Sequence, residues 1–138
     1  MAFIAPQTTP SPCDINTEFQ IFDHDSFQET ADLLRDDIGI AVEEFLQDAS
    51  AYIADIHNGI QSQTREQVVR SSHTLKSNSK SFGFTAVAQI SEMINDIMRH
   101  DGSDANFKTA MILSDSLQKA FYIAEQKLKD TIGLKAAP

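Results

Sequence analysis

Apolar residues recur every three to four positions along most of this chain, the spacing that gathers them on one face of an α-helix. Ile38, Val42, Phe45, Ala49, Tyr52, Ile53 and Ile56 form one such stripe, and Val68, Ser72, Leu75, Ser79 and Phe82 a sparser one. Val87, Ile90, Ile94, Ile97 and Met98 make a third; Phe107, Met111, Ser114, Leu117, Phe121, Ala124 and Leu128 a fourth. A shorter segment with Phe27, Leu33 and Leu34 precedes them. The polar punctuation agrees. Ser26 with Glu29, and Thr64 with Gln67, have capping-box spacing and predict helix starts at Ser26 and Thr64. A break is expected near Asp36–Gly39, a stop at Asn58–Gly59, a C-terminal cap at Gly83 and a turn over His100–Asp104. The expected helices are therefore a short one from Ser26, one ending near Gly59, then Thr64–Gly83, Thr85–Arg99 and Asp104–Thr131. Four long amphipathic helices with short connections bury their stripes together as an all-α, antiparallel four-helix bundle, with the short N-terminal helix as a lid.

Outside that body the pattern lapses. Residues 1–17 hold Pro6, Pro10 and Pro12 among Thr and Ser without periodicity, and are expected to be a flexible tail. The bundle domain is expected over 18–132, with a short C-terminal tail over 133–138. A chain of 138 residues that is 41% hydrophobic has room for one domain with a sizeable core. Cys13 is the only cysteine, which excludes an internal disulfide and a cysteine-based zinc site. No apolar run approaches the roughly 20 residues needed to span a bilayer, and residues 1–13 lack the charged start and apolar stretch of a secretory signal. A cytoplasmic protein without membrane contact is the expectation.

Charge sharpens the picture. The formal net charge of −9 argues against nucleic acid as a partner, because a phosphate backbone demands a basic surface. Yet the basic residues cluster. Arg35 is the only one before residue 65; Arg65, Arg70, Lys76 and Lys80 then follow in one segment, with Glu66 as its only acid. A local basic patch on an acidic protein suits a small anionic group or an acidic partner surface.

The third helix carries the chemistry. At about 100° per residue, His73 falls about 140° from the centre of the stripe formed by Val68, Ser72, Leu75, Ser79 and Phe82. It shares its side with Lys76, Ser77 and Lys80, so an exposed imidazole flanked by two ammonium groups is expected. Such an imidazole keeps an unprotonated ring nitrogen near neutral pH and can act as a nucleophile. Lys76, on the next turn, can offset the charge of an arriving phosphoryl group. The small side chain at Ser77 leaves room for a partner to reach the ring. The other histidines, His24, His57 and His100, read as ordinary surface residues, and Phe82 and Phe84 as packing residues. No second histidine stands at the spacing a metal site on this helix would need.

The segment His73-Thr-Leu-Lys-Ser-Asn-Ser-Lys-Ser-Phe-Gly-Phe resembles the phosphoacceptor signature of the histidine phosphotransfer (HPt) family, roughly H-x-L-K-G/S-x-S/A-x-x-hydrophobic-G. Ala88, Ser91, Glu92 and Ile94 resemble the small and acidic positions of the helix that follows. The resemblance implies His73 as the phosphorylated residue, Lys76 as its charge-balancing neighbour, and Gly83 as the turn that lets the fourth helix pack beside the third. It also implies polar groups facing the histidine at Asn95 and Arg99, and Ser77 and Lys80 in partner docking. Ser77 and Asn78 depart from the more usual Gly and Ser or Ala.

By this resemblance the protein carries a phosphoryl group between response regulator receiver domains, one of them on a hybrid sensor histidine kinase, and is commonly monomeric. It needs no cofactor of its own. With no carboxylate cluster beside His73 and no Gly-rich phosphate loop, it has no autonomous kinase activity, and Mg²⁺ is expected on the partner receiver. Two other readings stand beside this one: the N-terminal phosphoacceptor domain of a chemotaxis-type histidine kinase, and a bundle that regulates a kinase by docking alone.

Overall fold

The computed structural model describes residues 21–133. The expected N-terminal tail, Cys13, the first residues of the expected domain and residues 134–138 lie outside the described residues. Among the described residues five α-helices follow in order: α1 His24–Leu34, α2 Ile38–Gln61, α3 Arg65–Ser81, α4 Thr85–His100 and α5 Asp104–Ile132. A single 3₁₀ turn, Arg35–Asp37, joins α1 to α2 where a break is expected. Among the described residues there is no strand. The α3 helix lies between α2 and α4, α5 closes the bundle against α4 and α2, and the short α1 rests on α3 and α2. This is the four-helix bundle with an extra short helix that the periodicity predicts.

The helices hold together by the stripes just described. Val42, Ile56, Val68, Leu75, Ile94 and Leu117 are all sealed from solvent, and each such side chain contributes about 1.5–3 kcal/mol of hydrophobic burial. At the end covered by α1 the core turns aromatic. Phe45 stacks on Phe82 with ring centroids 4.5 Å apart and meets the edge of Phe84 at 4.9 Å. Phe82 is accordingly only half-buried, lying over Phe45 at the bundle's margin instead of pointing into its centre. Tyr52, Ile97 and Met111 are likewise half-buried flank residues of their stripes.

Two helix ends differ from expectation, and a third lacks the expected capping bond. The α1 helix starts two residues early because Asp23, not Ser26, is its cap. One Asp23 carboxylate oxygen accepts the backbone N–H groups of Asp25 and Ser26, and the other accepts the Ser26 hydroxyl at 2.9 Å. These bonds, the Ser26 hydroxyl foremost, hold the Asp23 carboxyl below the usual carboxylate range. Asn58–Gly59 does not stop α2, which runs on to Gln61. Gly59 is instead a crossing point: a Cβ there would sit 2.8 Å from Val68 Cγ2, so glycine lets α2 and α3 approach. The left-handed turn falls on Gln63 (φ 54°). Thr64 precedes α3 as expected but makes no capping bond with its side chain; Gln67 reaches across to the Asp55 carbonyl on α2 at 3.0 Å.

Gly83 takes the expected left-handed conformation (φ 78°) after α3. Its carbonyl accepts the Asp23 N–H at 2.7 Å, and any Cβ would collide with the Asp23 carbonyl oxygen. The glycine thus both turns the chain into α4 and seats the start of α1. Gly133 ends α5 in the same left-handed conformation.

Candidate functional site

On α3, one step along the helix separates the inside of the molecule from its outside. Ser72 is fully buried and His73 is exposed, as a rotation of about 100° per residue requires. Ser77 and Lys80 are exposed on the same side. Lys76 is half-buried, with its Nζ 3.6 Å from Glu92 Oε2 on α4. The structure therefore brings His73, Lys76, Ser77 and Lys80 to one open face. Glu92, whose pairing with Lys76 the sequence reading misses, stands at its edge. The i, i+3 placement of His73 and Lys76 was legible; the partner of Lys76 needed the register between α3 and α4.

Behind His73 the helix is held by Asn95. This residue is only 7% exposed. Its amide donates to the Val69 carbonyl at 2.9 Å and to Ser72 Oγ at 3.1 Å, while Ser72 Oγ donates to the same carbonyl at 3.2 Å. The expectation that Asn95 faces the imidazole is thus corrected: its amide points into the α3–α4 seam and ties down the turn from which His73 projects. A signal was present in the spacing, since Ala88, Ser91, Asn95 and Met98 fall on one face of α4 and all four are buried. Small residues line this seam. Ser79 and Ser91 are buried with no hydrogen-bond partner for their hydroxyls, and act as close-packing residues.

Arg99 is exposed and lies toward the start of α3, away from Lys76. With Arg65, Glu66, Val69 and Arg70 it lines an open groove of about 530 Å³. Arg65 does not point freely into that groove. Its guanidinium donates to the Met98 carbonyl and to the Arg99 carbonyl at 2.8 Å, placing a cation at the C-terminal end of α4, where unpaired carbonyls favour positive charge. Part of the basic cluster read from sequence is therefore structural. Gly83 is remote from His73 and supports the fold.

Of the remaining histidines, His24 and His100 are exposed. His57 departs from the surface reading: it is half-buried, and its Nδ1 is sealed without a hydrogen-bond partner. Asp101, in the α4–α5 turn, has its carboxyl lowered chiefly by the Ser103 backbone N–H and plays no part at this face. Among the described residues no group of three His, Cys, Asp or Glu side chains could hold a metal ion, and no helix is long and apolar enough to cross a membrane.

A family model described as the Hpt domain matches residues 41–121, a span that includes α3, α4 and most of α2 and α5. The chain belongs to the Hpt domain family. No curated protein sequence matches it. Among solved structures it is similar to the histidine-containing phosphotransfer protein B (HptB) from Pseudomonas aeruginosa PAO1, with a TM-score of 0.74 at 16% sequence identity, over 84% of this chain and 96% of that one. At such low identity the likeness bears on the fold, and the fold is the Hpt bundle. Membership in the family assigns this Hpt domain to histidine phosphotransfer in two-component signalling.

Proposed function

We propose that His73 is the phosphoacceptor of this Hpt domain and that the protein carries the group from one response regulator receiver domain to another. The observation that carries this reading is the exposed imidazole at the middle of α3, one turn from Lys76 and backed by a hydrogen-bonded seam. In the loading step an unprotonated ring nitrogen attacks the phosphorus of an aspartyl phosphate. The N–P bond forms as the P–O bond breaks, the aspartate leaves as carboxylate, and the proton on the other ring nitrogen passes to solvent. Unloading reverses these changes onto the next receiver.

Little in this face can accelerate the transfer beyond positioning and charge. Phosphoryl transfer asks for in-line geometry and electrostatic stabilisation. The chain supplies a rigid nucleophile and the ammonium of Lys76; Ser77 and Lys80 border the approach, and Arg70 and Arg99 flank it on the side of the groove. Mg²⁺ and the remaining catalytic groups belong to the partner receiver, which makes this protein a carrier without kinase activity of its own. A hybrid sensor histidine kinase is the proposed donor, and a monomer in the cytoplasm the proposed working form.

Incubation with phosphorylated receiver domains tests the proposal. Label should appear in wild type as an acid-labile phosphohistidine and be absent from His73→Gln, a loss of at least about 100-fold in transfer. The variant should keep its helical circular dichroism. Undiminished labelling of His73→Gln would overturn the assignment.

A further inference from the structure

Lys76 is already engaged in the unphosphorylated protein. Its Nζ sits 3.6 Å from Glu92 Oε2, with the two side chains 27% and 50% exposed. The α4 helix runs antiparallel to α3, so Glu92 stands level with Lys76 while Asn95 stands level with Val69 and Ser72. A phosphoryl group on His73 would bring a second anion to the same ammonium, one helical turn away. One cation then serves two anions, and the carboxylate and phosphoryl oxygens repel one another.

We infer that Glu92 tunes the carrier: it holds Lys76 before phosphorylation and competes with the phosphoryl group for it afterwards, weakening the grip on the cargo so that it passes on readily. The inference rests on the reading of His73 as the acceptor. Glu92 is a positioning residue here, acting on the phosphoryl group through Lys76. Because partly exposed ion pairs couple weakly, its effect on an equilibrium at the phosphoryl group is about two- to fivefold.

The test needs no partner protein. Potassium phosphoramidate can load a histidine directly: its P–N bond breaks as the ring nitrogen forms the new N–P bond, and ammonia leaves with the proton lost from the ring. The pH midpoint of the ³¹P signal of the loaded full-length protein then reports the electrostatics at the phosphoryl group. A nearby cation favours the deprotonated form and a nearby anion disfavours it, whether ring or phosphoryl releases the proton. Wild type, Glu92→Gln, Lys76→Ala and the double variant form a cycle in which Arg70, Lys80 and Arg99 stay constant.

Glu92→Gln should strengthen the acid about two- to fivefold, and Lys76→Ala should weaken it. In the Lys76→Ala background the Glu92→Gln effect should shrink. A Glu92→Gln titration that coincides with wild type overturns the inference, and so does an equal effect with and without Lys76, which would mean plain repulsion. In both cases loading of His73 is intact and the carrier reading survives. A wild-type protein that phosphoramidate labels elsewhere but not on His73 overturns the carrier reading and this inference together.

Discussion

The two faces of α3 obey different rules although they belong to one helix. The inward face, with Val68, Ser72, Leu75 and Ser79, is fully buried and closed by the Asn95 hydrogen bonds. The outward face, with His73, Ser77 and Lys80, is exposed and makes no demand on the packing. The position of His73, the proposed acceptor, is free to be chosen for chemistry because the adjoining positions carry the stability. Substitutions on the inward face should cost stability, and those on the outward face should cost phosphotransfer.

The largest break in that contrast should come from Leu75→Ala. It empties a fully buried site and should destabilise the domain by about 2–5 kcal/mol in urea unfolding, while any folded fraction still accepts a phosphoryl group on His73. Asn95→Ala comes next, at about 1–3 kcal/mol, because it removes the buried amide that donates to Val69 and Ser72. If Asn95→Ala instead leaves stability unchanged and reduces phosphotransfer alone, the residue belongs to the outward set after all.

A smaller effect probes the fastening of α1 at the far end of α3. Asp23→Ala should cost about 1 kcal/mol at neutral pH through loss of the helix cap. The folded Asp23 carboxyl is held below its ordinary value, first by the Ser26 hydroxyl. Its contribution is therefore present above the unfolded carboxylate pKa of about 3.9 and is lost as pH falls through the lower folded value. Wild type and Asp23→Ala should converge in unfolding experiments as the pH drops below about 4, and a gap that stays constant to pH 2 would refute the capping account. The smallest effect on stability should belong to His73→Gln, within about 0.5 kcal/mol, although this variant is expected to abolish labelling.

Much of this was legible in the sequence because helical periodicity is a local signal. The stripe from Val68 through Ser79 was enough to turn His73 outward, and the breaks near Asp36 and Asp101 follow from short polar stretches. What escaped depends on neighbours. Gly59 looks like a stop, but its lack of a Cβ is used against Val68 from another helix. Asp23 caps α1 in place of Ser26 because its backbone is also anchored by Gly83, sixty residues away in the chain. Asn95 is expected from the resemblance to face His73, until its partners, Val69 and Ser72, are brought opposite by the packing of α4. The Lys76–Glu92 pair needs the same register. Family resemblance supplied the role proposed for His73; the geometry supplied the reason an imidazole there is reachable.

Arg65 gives the bundle a depth stop. By gripping the Met98 and Arg99 carbonyls near the end of α4, it ties the start of α3 to its neighbour and opposes sliding of one helix along the other. The height at which the His73 ring stands on the bundle is thereby gauged about two turns away, by a side chain at the first turn of α3.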